Sequence, residues 1–236
     1  MSALYSKITK GIIVKKKEFN FFVFHKISGL LTVIKEGISI VLSENTGKVD
    51  ETQKHFLDIA YRNVNKLTEL LNNNFKLQSL VTGDIENISE KEDINEIIKK
   101  IQKQLALSAG KKGLNLVFDP DETIPQEVAF DGELIKEALT NIIVNSINFT
   151  EKGSVTVTAS FNTPDVKVVV KDTGRGIKKE ELPYVFDPIK LMKLKNEVCL
   201  GLSISKEIIR KHNGKIWIES APGKGTTVNC TFPAKV

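Results

Sequence analysis

The hydrophobic period changes along the chain, and each change predicts a different kind of element. From Phe24 the apolar positions are Phe24, Ile27, Leu31, Ile34, Ile38 and Val41, in alternating steps of three and four. That spacing is the seam of an amphipathic helix packing in a coiled-coil-like bundle. Gly47, closing Ser43-Glu44-Asn45-Thr46-Gly47, supplies a stop signal. Asp50 with Gln53 three residues on predicts a capping box, and a second seam follows at Leu57, Ala60, Val64, Leu67 and Leu71. Two such helices joined by a short turn make an antiparallel hairpin over residues 18–82. One hairpin has too little core to stand alone, so pairing of two copies into a four-helix bundle is its natural completion. Residues 1–17, weakly apolar and ending in Lys15-Lys16-Lys17, form a lead-in segment, either a helix or a tail.

Beyond a linker from Thr82-Gly83-Asp84 to Asp93, the pattern mixes both periods. Ile94 to Ser108 predicts an amphipathic helix and Leu114 to Phe118 a short strand, with a loop from Asp119 to Pro125. Asp131 begins a helix running through Leu134, Ile135, Ala138, Leu139, Ile142 and Ile143 to about Phe149. Alternation over Ser154–Phe161 and Val166–Lys171 predicts two strands around a turn at Asn162–Asp165. A short helix over Lys178–Tyr184 and a loop-like, Lys-rich stretch over 187–198 come next. Leu202–Lys211 reads as a helix closed by Gly214, and Lys215–Ser220 with Thr226–Phe232 as a hairpin over Pro222–Gly225. Residues 85–236 are therefore expected to form an antiparallel sheet with helices on one face, an α+β layer architecture.

Composition narrows the classes. With 236 residues, 41% hydrophobic and 27% charged, the chain can bury a real core and build one or two domains. The net charge of +5 comes from Lys spread along the chain rather than from a basic block, which does not favour a nucleic-acid or membrane-surface partner. Cys199 and Cys230 are too few for a disulfide framework and lack metal-ligand spacing, as expected of a reducing, cytoplasmic setting. The run Phe19–Phe24 is interrupted by Asn20 and is far too short to span a bilayer, and no signal-peptide pattern is present. No membrane segment is expected in this chain.

Candidate chemistry centres on Val168-Val169-Val170-Lys171-Asp172-Thr173-Gly174-Arg175-Gly176-Ile177, a buried strand running into a turn with one acid and two glycines. Glycine lets a ligand approach the main chain closely, and an Asp there offers an acceptor-only carboxylate suited to an exocyclic amine such as that of adenine. Alone, the motif reads first as an Asx-type turn closing a strand. Its neighbours change the picture. Asn141 and Asn145 lie four apart on one helix face. Tyr184-Val185-Phe186 places an aromatic at the base of a loop, and Leu200-Gly201-Leu202 puts a glycine at the start of a helix, where free N–H groups and the dipole bind phosphate.

The order and spacing of these four features resemble the ATP-binding domain of sensor histidine kinases, the Bergerat or GHKL fold, over roughly residues 85–236. Lys206 through Ser220 extends the likeness, and the hairpin of residues 18–82 resembles the family's dimerisation and phosphotransfer domain, with Phe24-His25-Lys26-Ile27-Ser28-Gly29-Leu30-Leu31 at its H-box. The resemblance implies a helical hairpin that becomes a four-helix bundle as a homodimer, followed by an α/β sandwich. It implies ATP and Mg²⁺ as ligands, His25 as phosphoacceptor and an Asp of a response-regulator receiver domain as the next acceptor. Asn145 would coordinate Mg²⁺ and Asn141 would lie beside the phosphates. Asp172 would accept from the adenine amine, Gly174 and Gly176 would let the nucleotide lie against the backbone, and Gly201 and Leu202 would frame the phosphates. Ile177 and Phe186 complete the implied nucleotide-binding set. Of the other histidines, His55 reads as a solvated helix-face residue and His212 as a polar or cationic cap near a helix end.

Several positions depart from the family pattern. Lys26 stands where an acid usually follows the phosphoacceptor, and a charged Lys cannot accept from an imidazole N–H. Gly29 and Leu30 replace the frequent Thr or Asn and the Pro. Asn148 takes the place of a phosphate-reaching Lys or Arg, and Cys199 that of a lid glycine, with Lys190, Lys193 and Lys195 as substitute cations. These departures support an alternative: a degenerate pseudokinase or phosphotransfer scaffold that dimerises and docks a regulator without autokinase activity. An ATPase clamp of the gyrase or heat-shock chaperone kind is disfavoured, since the place of its general-base Glu is Asn141.

Overall fold

The structure is a computed structural model that describes residues 23–43, 47–83, 89–121, 124–125, 128–162, 164–195 and 200–233, the side chains of residues 192 and 195 excepted. The lead-in segment 1–17, residues 44–46 of the first turn, 84–88 of the linker, the Lys195 side chain and Cys199 lie outside the described residues. Contacts divide the chain after Lys76 into two compact units. Among the described residues no helix is long and apolar enough to cross a membrane.

In the first unit, helix α1 spans residues 23–42 and helix α2 spans Glu51–Thr82, which continues past the unit boundary. The capping box forms as expected. The Gln53 N–H donates to Asp50 Oδ1 at 2.8 Å, and the Asp50 N–H donates to Gln53 Oε1 at 3.2 Å. The helices run antiparallel: Phe24 near the start of α1 stacks on Phe75 late in α2, ring centroids 4.3 Å apart, while Lys35 Nζ lies over the Tyr61 ring. Leu31 and Val64 are buried between them. Of the other seam residues, Phe24, Ile38, Leu57, Ala60 and Leu71 are half-buried, while Ile27 40%, Ile34 49%, Val41 38% and Leu67 53% are exposed.

The second unit is layered, helices on one face of a five-stranded sheet. Helix α3 (Ile94–Lys111) is capped by Asp93, whose side chain accepts from the Asn95 and Glu96 N–H groups. Helix α4 (Gly132–Phe149) is capped by Asp131, which accepts from the Leu134 N–H at 3.0 Å. Helix α6 (Gly201–Lys211) packs against α4, where the Ser205 hydroxyl lies 3.0 Å from the Ala138 carbonyl. The sheet order is β2 (Leu114–Asp119), β4 (Gly153–Asn162), β5 (Asp165–Asp172), β7 (Thr226–Pro233), β6 (Lys215–Ser220). Alternate residues fill the core: Val155, Val157 and Ala159 on β4, Val166, Val168 and Val170 on β5, Val228, Cys230 and Phe232 on β7. Burial pushes the Cys230 thiol up to about 12.

Three expectations need correction. The sheet is mixed, not antiparallel throughout: β2 pairs parallel with β4, because β3 (Val128–Phe130) and α4 intervene and return the chain in the same direction. The stretch read as linker up to Asp93 holds β1 (Glu90–Glu92), which pairs with β3 in a separate two-stranded sheet. The region read as a loop carries helix α5 (Pro188–Lys195), while within Lys178–Tyr184 the helical part is one 3₁₀ turn at Leu182–Tyr184.

His212, at the end of α6, is a buried neutral cap. Its Nε2 accepts from the Asp131 N–H at 3.2 Å, so Nδ1 carries the proton and donates to the Ile208 carbonyl at 2.8 Å. One imidazole thus ties the end of α6 to the start of α4.

Candidate nucleotide site

A pocket of about 770 Å³, counted to its open mouth, lies between α4, the turn after β5, the α5 region, α6 and the inner ends of β6 and β7. Asn145, Asp172, Gly176, Ile177 and Leu202 line it, which brings together residues read from three separate stretches. Apolar walls come from Ile142, Val185, Leu191, Ile218 and Val228.

Asp172 sits at the end of β5 with 5% exposure. Its Oδ1 accepts from the Gly174 N–H at 2.9 Å and from the Thr226 N–H at 3.1 Å. The first bond is local, the Asx turn the sequence allowed. The second comes from the neighbouring strand and fixes the carboxylate's rotamer. Among the described residues nothing donates to Oδ2, so one oxygen is held and the other is left for a ligand. The turn itself requires glycine. Gly176 has φ +70°, and a Cβ there would collide with the Ala221 carbonyl; at Gly174 it would meet that of Phe149. Ser220 clamps the turn from β6, accepting from the Ile177 N–H at 2.9 Å and donating to the Gly225 carbonyl at 2.8 Å.

At the other end of α4's pocket face, Gly201 opens α6 beside the two amides. A Cβ built on it would lie 3.6 Å from both Asn141 Cβ and Asn145 Nδ2, so the helix start and the asparagines share one space. Asn145 lines the pocket and Asn141 stands one turn behind it. Asn145 offers one hard amide oxygen, which fits Mg²⁺, an ion that keeps most of its shell as water and phosphate oxygens. Asn148 is exposed and is not among the residues lining the pocket, and Lys112 Nζ donates to its carbonyl at 3.0 Å and to that of Ile147 at 2.8 Å.

Phe186 is not part of the lining. Its carbonyl accepts from the Ser203 hydroxyl at 3.1 Å and its ring lies under Lys206 Nζ, so it braces the first turn of α6. His25 belongs to the first unit, on the exposed side of α1, its ring edge-on to Phe24. Sequence reasoning missed Phe149, Arg175, Thr226 and Leu191. Thr226 reaches Asp172 through strand order, for which the chain gives no local signal.

Comparisons with known proteins agree with this geometry. Residues 130–236 match the family described as histidine kinase-, DNA gyrase B-, and HSP90-like ATPase. The chain is 30% identical over 198 residues to the hybrid signal transduction histidine kinase L of Dictyostelium discoideum, covering 79% of this chain and 12% of that protein. It is 28% identical over 233 residues to the sensor protein kinase WalK of Staphylococcus haemolyticus, covering 94% of this chain and 37% of that one. The chain thus spans well under two thirds of these relatives' length. Among solved structures, full-length ShkA in complex with AMPPNP superposes with a TM-score of 0.79 at 21% identity, over 93% of this chain and 46% of that one, a likeness of fold. The catalytic domain of histidine kinase ThkA gives a TM-score of 0.55 at 26% identity, over 63% of this chain and 96% of that one.

Proposed function

We propose that this chain, which carries a histidine kinase-type catalytic core, binds ATP with Mg²⁺, phosphorylates His25 and passes the phosphoryl group to an Asp of a response-regulator receiver domain. The observation that carries this reading is Asp172, buried at the pocket wall with Oδ1 pinned and Oδ2 unengaged, an acceptor set for the adenine amine. Gly174 and Gly176 let the base lie against the backbone, and Ile142, Ile177 and Val228 give it an apolar slot. Gly201, Leu202, Asn141 and Asn145 then face the phosphates, with the Asn145 amide oxygen as the protein's metal ligand. The Mg²⁺ that accompanies ATP neutralises phosphate charge.

In the transfer itself, an imidazole nitrogen of His25 forms a bond to the γ-phosphorus as the bond to the β–γ bridging oxygen breaks, and ADP leaves. The chain's contribution is placement, since phosphoryl transfer depends on alignment and charge stabilisation. We place the chain in a homodimer, the exposed seam residues of α1 and α2 meeting those of a second copy.

Incubation with γ-labelled ATP tests the proposal. The expected label is stable in alkali, labile in acid and absent from His25→Ala. ATP binding without any label would instead support the pseudokinase scaffold, for which Lys26 and the exposed, neutral Asn148 already speak. A label that persists in His25→Ala would remove the assigned acceptor.

A further inference from the structure

We infer that Arg175 is a nucleotide-binding residue that stacks on the purine at the base end of the pocket; this rests on the ATP reading above. Arg175 is the one cationic side chain among the described residues that line the pocket. Its guanidinium carbon lies 4.8 Å from the centroid of the Phe149 ring, which lines the same pocket. The main chain beneath it is held on both sides: the Arg175 N–H donates to the Phe149 carbonyl at 3.3 Å, and the Arg175 carbonyl accepts from the Gly223 N–H at 2.8 Å. The side chain itself is exposed and makes no hydrogen bond or ion pair among the described residues. A planar cation is thus held at the mouth of an apolar slot with a flat face available and its donors uncommitted.

Helix α4 decides which end of the nucleotide it meets. Asn141, Asn145 and Phe149 follow at four-residue intervals on one face, steps of about 6 Å along the axis. Gly201 stands beside Asn141 and Asn145, which marks the phosphate end. Phe149 is the last residue of the helix and borders the turn that carries Asp172, which marks the amine end. Arg175 lies over Phe149 and three residues from Asp172, so it belongs to the base and not to the triphosphate. A base entering under the guanidinium gains stacking and cation–π attraction that do not depend on phosphate number.

Calorimetry on the full chain with ATP, ADP and adenosine tests this. Arg175→Ala is expected to weaken all three by a similar factor of about tenfold. Arg175→Lys, which keeps the charge and loses the plane, is expected to recover little of it. A loss confined to ATP and ADP, full recovery by Lys, or unchanged affinity for all three would overturn the assignment. The underlying reading has its own readout: wild type must bind ATP and Asp172→Asn must weaken it. If wild type takes up no nucleotide, the pocket reading fails and Arg175 falls with it. If those controls hold, Arg175 alone is judged.

Discussion

Asp172 divides its work between two oxygens, and the division predicts how it fails. Asp172→Asn keeps an acceptor for the Gly174 and Thr226 N–H groups, so the turn and the fold should survive. The amide can then present N–H where the adenine amine needs an acceptor, and that hydrogen bond is worth ~1–3 kcal/mol. ATP affinity should fall at least about tenfold by calorimetry with no change in circular dichroism. Unaltered affinity would remove the adenine role. Lys26 poses a different question on α1. It lies exposed beside His25, with no acceptor for an imidazole N–H and a charge that opposes the positive charge built up on the ring during transfer. Lys26→Glu reverses both, and assistance by a correctly placed base is worth ~10²–10⁴-fold, so autophosphorylation should rise measurably. A rapid wild type left unchanged by the substitution would show that another group serves His25.

At the scale of elements, legibility follows how local each determinant is. The Asp50–Gln53 box and the Asp131 cap were readable because side chain and backbone partners lie within three residues. The alternation on β4 and β5 was readable because one face is buried along the whole strand. Strand β1 was not, since Glu90-Lys91-Glu92 has no apolar alternation and is defined by pairing with residues almost forty positions away. Helix α5 was read as a loop because its lysines interrupt the apolar positions; Leu191 is buried while Ile189 and Leu194 are exposed. Five of the nine proposed nucleotide-site residues line the pocket, since their motif spacing is local. Phe149, Arg175 and Thr226 escaped because strand order and helix packing bring them in. Lys112 is another such residue, reaching from the end of α3 to the last carbonyls of α4. A cation there complements the helix dipole and satisfies two free acceptors. Lys112→Met should cost about 1 kcal/mol in urea unfolding, with Lys112→Arg restoring part of it. An unchanged midpoint would show the contact to be energetically neutral.

For the whole molecule, the first unit leaves a question of partnership. Ile34 and Leu67 lie on the predicted seams yet are about half exposed in one copy, and a second copy would cover them. Wild type should therefore sediment as a dimer at micromolar concentration. Ile34→Asp would place a charge in that shared core, which costs several kcal/mol when unpaired, and should yield monomers or unfolded hairpin. A monomeric wild type would remove the bundle.

The strand order of the second unit bears on how the protein is made. In the sequence β2-β4-β5-β7-β6, the strand synthesised last lies inside the sheet. Until β7 leaves the ribosome, β5 presents an unpaired edge to solvent and β6 has no partner in this sheet, Asp172 lacks the Thr226 amide, and the inner wall at Val228 is missing. Nucleotide can therefore find its pocket only after translation has passed that strand, and a nascent chain halted in the preceding turn is a blind intermediate with adhesive borders.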